Sequence, residues 1–231
     1  MNRRYKVLDI GCGRGELLGH LSGLIDSGSN LVGIDELEPS IRYAKENYPY
    51  IKFRHEKFID SLRFDDNSFD TVMSVDALEC IPNKIALLDE VFRVLRPGGK
   101  VVFAHWDWDT QAYNSENKAS IRKFIAAFSD WQQDWMEAAD GQMGRRLWGL
   151  FEGSGKYKGK IASFTLLETE YREGQYGFDR FHDLSGLVGA GSIELDEYEK
   201  ICREMQSLSD QNKYFYSVNS YIYIGEPHKD V

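Results

Sequence analysis

The chain of 231 residues is expected to fold as an α/β protein, a mostly parallel sheet with helices on both faces. Three observations carry that expectation. The apolar run VLDI (7–10) leads directly into glycines at 11, 13 and 15 and then into a helical stretch. Strand-like and helix-like segments then alternate as far as residue 104. The last alternation is punctuated by RPGG (96–99), a helix stop that precedes the apolar run KVVFA (100–104). Such alternation builds parallel strands through right-handed crossovers.

Each element has its own warrant. Residues 7–10 have the β-branched and apolar character of a buried strand, and Leu17, Leu18, Leu21, Leu24 and Ile25 share one face of the helix that follows. SGSN (27–30) is a turn, LVGI (31–34) a second strand ending at Asp35, and 39–47 a helix entered through Pro39. IKFR (51–54) is a third strand, DDNS (65–68) a turn, 69–75 a fourth strand, 83–95 a helix and 100–104 a fifth strand. Beyond residue 105 the rhythm changes. A helix is expected over 116–139, a strand near 160–170, helices over 179–188 and 194–208, and a last strand over 214–224, with its alternating tyrosines Tyr214, Tyr216, Tyr221 and Tyr223. One domain covers 1–231, with a core at 1–105 and 160–225. The segment 105–160, rich in Trp and Phe, is expected to cap the ligand end of the sheet.

Composition narrows the partners. Thirty-seven acids against 28 bases give a net charge of −9, which disfavours tracking a nucleic-acid backbone and favours a small molecule. No segment has the 18 or so consecutive apolar residues of a membrane span, and the start MNRRYK lacks a secretory apolar region, so a cytoplasmic protein is expected. Cys12, Cys80 and Cys202 form no C-x-x-C pair, and the five histidines form no H-x-x-H or H-x-x-x-H pair. Neither a disulfide framework nor a bound metal is therefore expected.

A glycine-rich turn between strand and helix brings backbone close to a ligand and offers it the unpaired N–H groups of a helix N-terminus. Dinucleotides and S-adenosylmethionine both use such turns. The dinucleotide pattern G-x-G-x-x-G would need glycine where this chain has Glu16, and the pattern present is D-x-G-x-G-x-G.

Four blocks, VLDIGCGRGELL, VGIDELEPSIRYAKENYP, DNSFDTVMSVDALECIPN and LLDEVFRVLRPGGKVVFA, resemble in order and separation the class I S-adenosylmethionine-dependent methyltransferases, in particular the small-molecule branch. The resemblance covers about residues 5–105. It implies a seven-stranded Rossmann-like sheet, mostly parallel with an antiparallel final strand, and S-adenosyl-L-methionine as cofactor. By the same resemblance Asp9, Gly11 and Gly13 surround the methionine half of the cofactor, Gly15 opens the helix, Asp35 reads the ribose hydroxyls, a carboxylate being able to grip two hydroxyls at once, and Glu36 beside it is a further cofactor contact. Lys57 and Phe58 are assigned to adenine through their backbone, with Glu56 as the alternative in a shifted register. Ser74, Val75 and Cys80 complete the cofactor site. Relatives often carry Glu-His where this chain has Glu79-Cys80, and an extra helix before the first strand, whereas the sequence here reaches its first strand within about six residues.

Reacting atoms in open α/β sheets lie beyond the carboxyl ends of the strands. That position makes His105 a candidate proton acceptor and Asp76 a second one. Trp106, Asp107 and Trp108 are candidates for acceptor binding, because an extended HWDWD would set an aromatic wall beside an acidic one, suited to a cationic amine. Gln142 is a further acceptor contact, whereas Arg145-Arg146 reads as a solvated or salt-bridged helix face. The expected activity is methyl transfer to nitrogen or oxygen of a small-molecule acceptor. An RNA or protein methyltransferase and a catalytically silent binding subunit are the alternatives, an NAD-dependent oxidoreductase is the least favoured, and a homodimer is admitted.

Overall fold

The computed structural model describes residues 4–57 and 61–229. Its elements in chain order are β1 (Lys6–Ile10), α1 (Glu16–Ser22), β2 (Asn30–Asp35), α2 (Glu38–Asn47), β3 (Lys52–His55), β4 (Phe69–Val75), a 3₁₀ turn at Leu78–Cys80, α3 (Lys84–Val94), β5 (Leu95–Tyr113), α4 (Lys118–Ser129), α5 (Met143–Gly153), β6 (Tyr157–Glu168), α6 (Tyr176–Gly189), α7 (Leu195–Asp210) and β7 (Tyr216–Pro227). They form one seven-stranded sheet in the order β3-β2-β1-β4-β5-β7-β6. Strands β1 to β5 pair in parallel, and β5, β7 and β6 run antiparallel. No helix among the described residues is long and apolar enough to cross a membrane.

Local chemistry sets the boundaries. Gly15, left-handed at φ 79°, starts α1, which stops at Ser22 against Gly23, short of Leu24 and Ile25. Pro lies in the first turn of α2, where its missing N–H costs nothing. The Asn83 side chain caps α3 by accepting from Ala86 N at 3.0 Å. Two expected elements come out differently. The fifth strand, expected over 100–104, begins at Leu95, where it pairs with Phe69 across a register shift, and continues to Tyr113, since no glycine or proline interrupts 100–113. The helix expected over 116–139 closes at Ser129, because 130–142 carries Asp130, Asp134, Asp140 and Gly141, all turn formers. Gly141 has a steric reason to be glycine: a Cβ there would lie 2.2 Å from the Ser129 carbonyl oxygen.

The chain divides into two units, 1–105 with 146–162 and 222–231, and 106–145 with 163–221. The first holds Val7, Cys12, Leu18, Leu31, Ile41, Ala44, Ile51 and Phe53 in one buried cluster. It also holds a stack of Phe151 on Tyr223 with centroids 4.2 Å apart, flanked by Phe103 and Tyr157. The second has its own core, in which Phe181 and Leu184 of α6 and Ile201 and Met205 of α7 meet Ile121, Phe124, Trp108 and Tyr216. The segment 105–160 is thus shared between the two units.

Candidate active site

Register brings the carboxyl ends of the first unit's strands to one edge. Asp9 pairs with Gly33 on one side and Met73 on the other, Asp35 with His55, and Val75 with Ala104. The glycine turn leaves this edge with Gly11, Gly13 and Gly15 all at positive φ. Their reasons differ. A Cβ on Gly11 would meet Ala77 Cβ at 2.2 Å and one on Gly15 the Phe53 ring at 2.6 Å, whereas one on Gly13 would meet nothing within 4 Å. Two of the glycines permit close packing, and the third leaves open space beside the backbone.

Asp35 holds the turn together. Its Oδ2 accepts from Gly13 N and its Oδ1 from Leu37 N, both at 2.8 Å, and each oxygen keeps a lone pair for another donor. Asp9 is buried, and its Oδ1, like the buried Ser74 Oγ, accepts or donates no hydrogen bond. Burial first, and the Asp35 carboxylate second, push Asp9 up to about 8. Glu36 offers its carbonyl oxygen 2.9 Å from His55 Nε2. Val75 is exposed, and Lys57 is at the surface. Glu56 is buried, its Oε1 accepting from Arg63 N at 3.1 Å. Phe58 lies outside the described residues. Burial, with Glu79 next in effect, pushes the half-buried Cys80 thiol up to about 12, so it is no thiolate nucleophile.

Beside this turn the structure assembles His105, Asp76 and Glu79. The buried imidazole places Nε2 3.5 Å from Asp76 Oδ1 and 3.9 Å from Glu79 Oε2. Donor atoms of the three lie within 4.8 Å of one another, a spacing that a metal ion could bridge. Asp76 sits at φ 57°, its N–H bonded to the Ala104 carbonyl at 3.0 Å, which ties the end of β4 to the residue before His105. Sequence reasoning paired His105 with Asp76 by strand position but gave Glu79 no role. Glu79 arrives through the short 3₁₀ turn Leu78–Cys80, which leaves no periodic mark in the sequence.

The remaining candidates belong to the second unit. Trp106 and Trp108 lie on one face of the extended strand with ring centroids 6.3 Å apart. Trp108 is buried in that unit's core, and Trp106 packs on Tyr176 at 5.3 Å. Asp107 is fully buried and gripped by both the Nε and an Nη of Arg145. The hydrogen bonds to Asp107 hold the Arg145 guanidinium above its ordinary value. Gln142 donates to Asp109 Oδ2 at 2.6 Å. The acidic side of HWDWD is therefore already matched by a cation of the chain itself.

Residues 1–172 match the family described as "Methyltransferase domain". Among curated proteins, the chain is 36% identical over 119 residues to sterol 24-C-methyltransferase erg6 of Aspergillus fumigatus, covering 48% of this chain and 30% of that protein. It is 29% identical over 171 residues to demethylmenaquinone methyltransferase of Staphylococcus haemolyticus, covering 69% and 72%. The chain spans about a third of the length of the first curated relatives it matches. Among solved structures, the YcgJ protein of Bacillus subtilis superposes with TM-score 0.61 at 16% identity, covering 99% of this chain and 94% of that one. Phosphoethanolamine N-methyltransferase 2 of Haemonchus contortus, in complex with S-adenosylhomocysteine, gives 0.52 at 15% identity, covering 98% and 49%. With the family match running through the glycine turn, Asp35 and the His105 cluster, the chain belongs to the S-adenosylmethionine-dependent methyltransferases.

Proposed function

We propose that the enzyme methylates an oxygen or nitrogen of a small-molecule acceptor, and that His105, flanked by Asp76 and Glu79, receives the acceptor's proton. The observation that carries this reading is the imidazole 3.5 Å from the Asp76 carboxylate at the carboxyl ends of β4 and β5.

The residues at this edge suit the cofactor. Asp9 Oδ1 and Ser74 Oγ are buried polar atoms with bonding capacity to spare, and a buried polar atom without a partner is costly. The space at Gly13 admits a close ligand. On this reading Asp9, Gly11, Gly13 and Gly15 hold the methionine half, Asp35 and Glu36 the ribose, Lys57 the adenine, and Ser74, Val75 and Cys80 the rest of the wall. When bound, the cofactor supplies an electrophilic methyl group on a sulfonium. The chain's part is alignment, exclusion of water and handling of one proton. As the acceptor's lone pair forms the new bond, its proton passes to His105, and the carboxylates of Asp76 and Glu79 face the ring where positive charge develops. Asp107 and Trp108 we read as structural, the one matched by Arg145 and the other within an apolar core. Trp106 and Gln142 remain the candidates for acceptor recognition.

The small-molecule reading is supported by relatives named for sterol, menaquinone and phthiotriol methylation and by the net charge of −9, which suits RNA poorly. Free Cys12, Cys80 and Cys202 fit a reducing cytoplasm. Incubation with methyl-labelled cofactor and a panel of phenols, alcohols and amines should label a small product that His105→Asn fails to make. Label found only in RNA or protein would overturn the reading.

A further inference from the structure

Among the described residues, strand β6 has β7 on one side and no strand on the other. Proteins blunt such edges by shortening, bulging, charging or covering them. This one runs twelve residues as YKGKIASFTLLE, has no proline, and exposes Ile161, Phe164 and Leu167 at 41%, 54% and 55%. Phe164 projects on one face of the strand and Ile161 and Leu167 on the other, so a single flat partner packing on one face could not cover all three. Another strand lying alongside would flank both faces at once. Gly159 already gives its N–H to Glu152 at 3.1 Å, which leaves residues 160–168 for pairing.

We propose that residues 160–168 pair antiparallel with the same segment of a second copy of the chain, about a two-fold axis through Phe164. In that register Lys160 faces Glu168, Ile161 faces Leu167, Ala162 faces Leu166, Ser163 faces Thr165 and Phe164 faces its own copy. Just beyond the strand, Lys158 comes opposite Glu170. Each facing pair is opposite in charge or alike in polarity, which is how cross-strand neighbours stabilise a sheet, and each occurs twice because the contact is isologous. Sliding by one or two residues either way puts Lys160 against Leu167, Thr169, Leu166 or Glu170 and separates Ile161 from Leu167 every time. The Glu168 carboxylate accepts from Tyr176 N at 2.9 Å and Gly177 N at 2.7 Å at the start of α6, which holds its charge in place at this end of the strand.

Sedimentation velocity on the full chain tests this. The wild type should sediment as a dimer at high micromolar concentration. Phe164→Lys and Phe164→Glu, each bringing like charges together on the axis, should both be monomeric with unchanged circular dichroism, since the side chain is exposed. An equimolar mixture of the two variants should recover the dimer, because only the two-fold register sets position 164 against itself. A monomeric wild type, a dimer that persists in both variants, or a mixture that stays monomeric would each overturn the proposal.

Discussion

Asp9 is a carboxylic acid in a place that penalises its ionisation, with burial and the Asp35 carboxylate pushing it up to about 8 from the ordinary 3.8. In the folded state it therefore holds a proton through a range where the unfolded chain has released it. Its contribution to stability is accordingly full below the ordinary value and is lost progressively as pH rises toward about 8. Asp9→Asn should flatten that dependence and raise the urea midpoint more at pH 8 than at pH 5. If the cofactor's ammonium group lies against Asp9, binding S-adenosylhomocysteine near neutral pH should release a proton. Calorimetry in buffers of differing ionisation enthalpy would measure it. Asp35→Ala removes the acceptor for Gly13 N and Leu37 N as well as the proposed ribose grip, so it should weaken cofactor binding by about 2–3 kcal/mol and also lower thermal stability. Unchanged affinity would exclude Asp35 as a ribose ligand. His105→Asn should cut turnover by about 10²–10⁴-fold with cofactor affinity preserved. For Asp76 the informative change is to Asn, which tolerates the left-handed backbone at φ 57°, whereas Ala would add backbone strain to the loss of the carboxylate. Asp9, Asp35, Asp76 and His105 were legible in the sequence because each follows or ends an apolar run and strand ends converge. Glu79 and the Arg145 grip on Asp107 were not, since a 3₁₀ turn and a contact across 38 residues leave no periodic trace.

At the scale of elements, the alternating half of the chain was readable almost to the residue, because each segment there carries its own stop. Pro39 enters α2, while Asn83 caps α3 and RPGG follows directly on its end. The C-terminal half lacks that punctuation. Its long apolar-aromatic stretches fit helix or strand until tertiary contacts decide, so β5 outran its expected end and the helix after it came out shorter. The contact at Gly141 shows what decides: the backbone presses on Ser129 while the Gly141 carbonyl accepts from Trp108 N at 2.8 Å. Gly141→Ala should thus destabilise the fold by roughly 1–3 kcal/mol by overpacking, read as a lower chemical-denaturation midpoint. A neutral result would mean that the loop 130–142 yields freely.

For the whole molecule, a net charge of −9 predicts that any association with RNA is weak even at low salt, which a filter-binding titration at low ionic strength would check. Mass action predicts that S-adenosylhomocysteine at a hundred times its dissociation constant stabilises the enzyme by about 2.7 kcal/mol, visible as a raised melting temperature that NAD does not reproduce. The strand order has a consequence for the chain during its synthesis. β6 has a single neighbour in the sheet, β7, and β7 is translated after it, with α6 and α7 between them. On the ribosome β6 therefore emerges with both its edges unpaired and its phenylalanine and leucine exposed. The sheet can close only when β7 threads between two strands already made, a long-range pairing of the slow kind. A chain stalled before Tyr216 would present β5 and β6 as open templates for other strands.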